Sequence, residues 1–290
     1  MNVLSSEASE PSVTPVDTVL QQNIAAARRR RILINILRPL IFVLFVGGWE
    51  IASRVGILDP FFWGQPSGIW MQIVTWATNG TAQGPLWEQI GVTLEEAVLG
   101  FVIGVVLGVI FGVILGRNHF LSDVLGPYIK AANSIPRIVL GAIFSIGLGL
   151  GIQSKVALAV VLVFFIVFFN AFQGVREVDR NLLANARILG AGQRQLSTEV
   201  IIPSALSWII ASLHTSFSFA LVGAVVGEFL GATEGLGLMI QTAEGTFNAN
   251  GVFAAMTILA VVALLMEALV TALENRLVKW RPRIVNDVTI

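Results

Sequence analysis

The sequence predicts an all-α polytopic membrane protein with about six transmembrane helices. Three observations carry that prediction. Hydrophobic residues make up 55% of the 290 and charged residues only 12%, against roughly 25% charged in an ordinary soluble domain. Mean hydropathy is +0.81. Six mostly apolar runs approach or exceed the roughly 20 residues that cross a bilayer as a helix. A transmembrane barrel would instead show alternating segments of about 10 residues, and none is present.

Along the chain, residues 1–32 form a polar, Ser- and Pro-containing tail whose composition reads as disordered. No apolar core follows a basic start at the distance a signal peptide needs. Arg28 to Arg31 then precede the first apolar run. They read as a membrane-surface anchor and orientation signal rather than a nucleic-acid patch, since the net charge is zero.

The expected spans are 33–55, with Arg38 and Pro39 near its start, then 92–115, then 121–148 broken at "NSIPR", then 156–172, 203–230 and 252–273. The transmembrane domain is thus 33–279, with a tail at 280–290. Six spans put both termini on one side. Arg28–Arg31, Arg117, the arginines at 176, 180, 187 and 194, and the basic residues at 276, 279, 281 and 283 all fall on that side. The other side holds little beyond Arg54 and Lys155. Cytoplasmic loops carry the excess of Lys and Arg, so both termini and the 175–202 loop are expected in the cytoplasm. Lys130 and Arg137 flank Pro136 and can snorkel at the cytoplasmic end of the third span. The loop 56–89 holds "DPFFWGQPSGIW", whose aromatics suit the opposite interface.

The residue inventory excludes most chemistry. There are no cysteines, hence no disulfide or thiolate metal site. Two histidines and no HExxH or Walker A pattern leave no metal site, no cofactor motif and no catalytic cluster.

The 175–202 loop is too polar to be a span. Leu182, Leu183, Ala186 and Leu189 fall on one helical stripe, with Arg180, Asn181 and Arg187 off it. Gly190, Ala191 and Gly192 interrupt that helix, and Pro203 is placed in the first turn of the fifth span, where a missing N–H costs nothing. The pattern alone allows a helix lying on the inner leaflet or a docking surface for a cytoplasmic partner.

The fifth span carries two stripes. Ser204, Ser207, Ala211, His214 or Thr215, and Ser218 form a small polar one, read as facing a translocation path. Ser212, Ser216, Ala220, Gly223 and Gly227 form a second that lets a neighbouring helix approach. Alternatively both pack, with hydroxyls bonding their own i−4 carbonyls. His214 fits a buried neutral histidine with one hydrogen bond, or a substrate contact. Pro136 should kink the third span, with Asn133 and Ser134 satisfying the freed groups. Asn170 and Gln173 read as gate elements or interhelical bonds. Glu228 is the fifth span's only acid, and an acid there faces protein or water.

Four stretches together resemble a known family. "SIPRIVLGAIFSIGLGLG", "FFNAFQGVREVDRNLLANARILGAG", Pro203 in "VIIPSALSWI", and "VVGEFLGATEGLGLMI" are similar to ABC importer permeases of the nitrate/sulfonate/taurine/bicarbonate branch, over about 40–279. The resemblance implies a type I importer fold in a bacterial inner membrane. It implies a permease homodimer, two ATPase subunits that hold ATP and Mg, and a periplasmic or extracellular solute-binding protein. The chain itself would be no enzyme. The loop would be the coupling helix, with Ala184, Ala186, Arg187, Leu189, Gly190, Arg194 and Pro203 in its contact with the ATPase. The solute would be a small anion such as a sulfonate, nitrate, bicarbonate or aromatic carboxylate. Glu228 and the turn at Gly235 and Gly237 are recurrent features of the family, as a structural acid receiving N–H bonds from the turn or as a gate. One departure stands out: the family's Glu-Ala-Ala falls on Ala184, Asn185 and Ala186, without the glutamate. The rival, an ion-coupled secondary transporter, would show inverted repeats and mid-membrane acids. No repeat is found, and Glu50, Glu95, Glu96 and Glu267 read as lying toward span ends.

Overall fold

The computed structural model describes residues 15–178 and 180–277, and they are almost wholly helical. Five helices are long and apolar enough to span a membrane, and a bent pair makes a sixth. The chain divides into two units, 1–60 and 61–290.

The first unit is dominated by α1 (Pro15–Arg54). Its apolar part, Ala27–Arg54, is 28 residues long. Here the structure differs from the expected disordered tail, because the backbone is helical from Pro15 onward. The reason is local: Pro15 sits where a first-turn proline is tolerated, and Ala25–Ala27 and Arg28–Arg31 are strong helix formers. The first fourteen residues and the tail 280–290 lie outside the described residues.

The second unit begins with the short α2 (Pro60–Trp63) and α3 (Pro66–Asn79). Then come α4 (Leu86–Arg117), α5 (His119–Ser134), α6 (Arg137–Leu148) and α7 (Ile152–Arg176). The polar loop contains α8 (Arg180–Ile188) and α9 (Gln193–Gln195). After it run α10 (Ile202–Leu230), α11 (Leu236–Gly245) and α12 (Ala249–Leu277).

The centre of this unit is the seam between α4 and α7. Gly100, Gly104, Gly108, Gly112 and Gly116 recur every fourth residue along α4, and all are buried. Ala159, Val163, Val167, Ala171 and Val175 answer them on α7 at the same spacing. A Cβ on Gly100 would lie 2.3 Å from the Ala159 Cβ, and one on Gly112 would lie 2.7 Å from the Phe168 carbonyl oxygen. Hydrogen therefore stands where any side chain would collide with backbone. Bilayer lipid is as apolar as leucine, so such close packing supplies what the hydrophobic effect cannot.

The fifth span adds a second close approach. A Cβ on Gly223 of α10 would lie 2.6 Å from the Ala159 Cα, and one on Gly174 of α7 would lie 3.0 Å from the Ala205 Cα. Ala159 is thus gripped from two sides. On the flank of α4 and α10, a core of Leu86, Leu236, Met239, Ala255, Ile258 and Val262 joins α4 and α11 to α12.

At two prolines the backbone differs from expectation. Between α5 and α6 the chain bends by 85°. The carbonyl that Pro136 cannot engage, that of Ala132, accepts instead from the Ile135 N–H at 3.4 Å. Ser134 and Asn133 do not serve it. Ser134 donates to Lys130 O, and Asn133 accepts from the Arg137 guanidinium. Pro203 stands in the first turn of α10, as expected, but the backbone before it is already helical. Helix is continuous from Gln193 to Leu230, and the stretch Leu196–Ile201 just before the proline is π-helical. The Ile202 N–H reaches back five residues to the Ser197 carbonyl. A wider turn of this kind is a known way to pass an interruption in the i→i−4 ladder.

The glycine seam yields a direct test. Gly108→Leu should lower stability by about 3 kcal/mol or more, since overpacking a rigid contact costs this order. Gly91→Ala, on an exposed turn of α4 where a Cβ meets nothing within 4 Å, should be neutral or gain up to about 1 kcal/mol from helix propensity. Thermal unfolding of the detergent-purified protein measures both. A Gly108→Leu protein that melts with wild type would remove the seam from its central place.

Candidate functional site

The polar loop starts where α7 ends. There the Arg176 guanidinium lies 4.5 Å from the Phe172 ring centroid and 3.4 Å from His119 Nδ1. Helix α8 ends in a Schellman turn. The Gly190 N–H bonds the Arg187 carbonyl and the Ala191 N–H bonds the Ala186 carbonyl, both at 3.0 Å, with Gly190 at φ +87°. Left-handed backbone of this kind favours glycine. Gln195 then accepts from the Gly192 N–H at 3.0 Å and so closes the first turn of α9.

The loop presents apolar side chains to the outside. Ile188 is 82% exposed and Leu189 86%. The expected stripe is only partly covered: Leu183 and Ala186 are half-buried, whereas Leu182 and Leu189 are exposed. Ala184, Arg187, Gly190, Arg194 and Pro203 are exposed as well. A shallow cavity of about 230 Å³ lies between the end of α8 and the π-helical turn, lined by Ala186, Leu189, Leu196 and Glu199 among others.

Helix α10 separates its two stripes cleanly. Ser212, Ser216, Ala220, Gly223 and Gly227 are buried, and Ser207, Ala211, Thr215 and Ser218 are exposed. Ser218 donates to its own i−4 carbonyl at 3.3 Å. The buried stripe meets α7, because Gly223 lies on Ala159 and Gly227 on Lys155.

His214 sits at the edge between the two stripes and is held twice. Its Nδ1 is 2.7 Å from Glu267 and its Nε2 2.5 Å from Glu274, both on α12. This differs from a neutral histidine with one bond. Two carboxylates at two ring nitrogens call for two N–H donors, which only the imidazolium has. Nor do Asn170 and Gln173 bond between helices. Asn170 donates to Ile166 O, and Gln173 donates to Glu177 one turn on.

The far end of α10 holds a dense polar cluster. Helix α11 begins with the backbone N–H groups of Gly235, Leu236 and Gly237, and a helix has no partners of its own for its first N–H groups. Each finds a buried side chain. Gly235 donates to Gln89 Oε1 at 2.8 Å, Leu236 to Thr93 Oγ1 at 2.9 Å, and Gly237 to Glu228 Oε2 at 2.6 Å. The Thr93 hydroxyl in turn donates to Glu228 Oε1 at 2.6 Å. Negative charge is favourable at a helix N-terminus, and Glu228 is fully buried there. Only glycine fits at the turn. A Cβ on Gly235 would lie 2.2 Å from Glu228 Oε1, and one on Gly237 would lie 2.4 Å from the Val225 carbonyl.

Two residues of this cluster carry no signal in the sequence, and two charges differ from their expected places. Gln89 and Thr93 are uncharged and drew no notice. Glu96, read as lying near a span end, is buried, with Glu228 and Lys155 as its charged neighbours. Its Oε2 has no further partner among the described residues. Lys155, read only as a charge beyond the membrane, is also buried. It donates to Leu150 O at 2.5 Å and is the cation that acts on both carboxyls. The available signal was the rule that ionisable side chains inside a bundle face one another.

Residues 104–279, more than half of the chain, match the family described as binding-protein-dependent transport system inner membrane component. The chain belongs to that family. It is 31% identical to the formylaminopyrimidine transport permease protein ThiX of Halalkalibacterium halodurans, over 84% of this chain and 95% of that protein. It is 30% identical to the putative aliphatic sulfonates transport permease protein SsuC of Bacillus subtilis, over 80% and 83%. Among solved structures, the inward-facing MetNI methionine ABC transporter matches with a TM-score of 0.52 and 22% identity, over 67% of this chain and 93% of that one. The fold is therefore that of a type I importer permease, and the protein is a multi-pass permease subunit of an ABC importer. The ion-coupled alternative gives way to this.

The cluster at the start of α11 predicts a stability defect. Thr93→Val keeps the shape but leaves the Leu236 N–H and one Glu228 oxygen without a partner. Orphaned buried groups cost about 1–3 kcal/mol each, more when charged. Thr93→Val should therefore lower the melting temperature by several degrees, and Thr93→Ser should restore most of it. Equal melting of Thr93→Val and wild type would show that the hydroxyl is not needed.

Proposed function

We propose that two copies of this chain form the translocation path of an importer driven by two separate ATPase subunits. The exposed apolar end of α8, Ile188 and Leu189, would insert into a cleft on each ATPase. ATP binding and closure of the ATPase pair would pull the loop and switch the path from inward-facing to outward-facing. The observation that carries this reading is the unbroken helix from Gln193 to Leu230. It ties the loop directly to the exposed hydroxyl face at Ser207, Thr215 and Ser218, the surface we assign to the path. A pull on the loop tip therefore reaches the path through a single turn, at Gly190, beyond which the helix is continuous. The loop and both termini are placed in the cytoplasm, a reading supported by the arginine distribution. The hydrolytic chemistry, with ATP and Mg, belongs to the partner.

The solute reading is a small anion of the sulfonate, nitrate, bicarbonate or aromatic carboxylate kind, handed over by a solute-binding protein. The relative named for aliphatic sulfonates supports it, and the relative named for formylaminopyrimidine supports a neutral heterocycle instead. Melting of the cognate binding protein against taurine, nitrate, bicarbonate, benzoate and an aminopyrimidine separates the two. Stabilisation by the pyrimidine alone would overturn the anion.

Coupling is tested at the loop tip. Leu189→Asp replaces an exposed side chain and should leave permease stability unchanged. It should weaken ATPase binding by about tenfold or more, as expected for a central apolar anchor. Gly190→Leu has room for the side chain but forces left-handed backbone at about 1–2 kcal/mol, and should uncouple hydrolysis from transport. Normal transport by both variants would refute the coupling role. Gln193→Cys should resist membrane-impermeant thiol reagents on intact cells and react once the membrane is opened. Native mass spectrometry of the assembled transporter should give two copies of this chain.

A further inference from the structure

We infer that one face of α1, formed by Arg28, Arg31, Asn35 and Arg38, is a binding site for the phosphate of an anionic phospholipid. The site needs only that α1 crosses the bilayer. That the leaflet is the cytoplasmic one rests on the orientation proposed above.

The argument begins with charge. Five arginines lie in α1 between Arg28 and Arg38, and no Asp or Glu occurs from Thr18 to Trp49. The nearest acid downstream, Glu50, is already engaged by Arg54 at 2.7 Å. Arg28, Arg31 and Arg38 thus have no Asp or Glu one helical turn away on either side.

Next comes position on the helix. At about 100° per residue, Arg28, Arg31, Asn35 and Arg38 fall within an arc of roughly 80°, and all four are exposed. Arg29 and Arg30 point elsewhere. Arg38 stands about 10 Å further along the axis than Arg31, among Ile36, Leu37, Leu40 and Ile41, which are themselves exposed. An arginine among lipid-facing side chains is costly unless its head reaches the interface. Helical Cα–Cβ bonds tilt toward the N-terminus. The long Arg38 side chain is therefore directed back toward the level of Asn35 and Arg31. The same tilt turns Arg31 toward Arg28, so the face carries donors at two levels: the Arg38 guanidinium beside the Asn35 amide, and Arg31 with Arg28 nearer the headgroups. A guanidinium fork matches phosphate oxygens in bidentate fashion. A lipid phosphate is the anion that lies at this depth, and its acyl chains would cover the apolar side chains beside Arg38.

The test uses the full-length protein in detergent with phosphatidylglycerol, read by native mass spectrometry, with phosphatidylcholine as the zwitterionic reference. R31Q/R38Q on the face and R29Q/R30Q off it remove equal charge. The face pair should lose about tenfold in phosphatidylglycerol retention and the off-face pair less than about twofold, as expected when bidentate contacts rather than net charge hold the ligand. Equal losses from both pairs, or none from either, would overturn the site. Added glycerol 3-phosphate should leave the lipid in place; displacement would mean a site for free anions. Should R31Q/R38Q fail to fold, R38K keeps the charge but not the fork. It should still lower retention several-fold, and unchanged retention would overturn the inference. Binding in detergent does not depend on which side α1 starts from, so a wrong orientation would show only in the Gln193→Cys labelling.

Discussion

The close approach of α4 to α7 is the constraint on which the rest of the second unit depends. Five glycines at a spacing of four let one backbone lie against the other. Ala159, at the first of these contacts, is also the residue on which Gly223 of α10 rests. Three helices are thereby drawn to a common axis at their shared end. There Glu96, Lys155 and Glu228 are buried together, with Glu228 held by the Thr93 hydroxyl and Lys155 by the Leu150 carbonyl. Burying charge singly inside an apolar bundle is prohibitive. The packing of small residues and the polar cluster are therefore one design: the first sets the distance and the second uses it.

Helix α10 extends that design along the molecule. Its buried stripe is fixed to α7, its far end to the start of α11, and its middle to α12 through His214. What remains uncovered is the hydroxyl-bearing face and the loop before Gln193. The π-helical turn matters here because it keeps the rod unbroken past Pro203. A chain that restarted its helix at the proline would have a soft joint between the loop and the path.

Much of this was legible in the residues, and the failures have physical causes. The six spans follow from hydropathy, which measures composition. The two faces of α10 follow from its 3.6-residue period, which assigns one stripe to packing and leaves the other open. The loop helix and its glycine turn follow from Gly190 and the apolar spacing before it. The glycines of α4 are as regularly spaced, but a spacing of small residues does not name the helix that packs on it. The N-terminal tail was misjudged because polar composition was weighed above the helix propensity of alanine and arginine. Pro203 lies in the first turn of α10 as its sequence position implies, but the helix that precedes it was not legible, because a π-turn leaves no mark in a single sequence. Lys155 and Glu96 were given positions along their helices but not neighbours, and burial depends on neighbours. His214 shows the same limit: nothing in α10 announces two glutamates on α12.

The three N–H bonds at the start of α11 bear on how such a permease can move. Their acceptors belong to α4 and α10, and all lie where water cannot replace them. Any motion that draws α11 away from either helix must strip these groups bare at the same moment. A motion that carries the three helices together leaves every bond intact. This end of the molecule thus has few internal degrees of freedom and behaves as a single stiff block. The 85° bend at Pro136 and the left-handed turn at Gly190 are interruptions of the backbone that lie outside this block. The three bonds thus favour movement of this end as one body over bending within it.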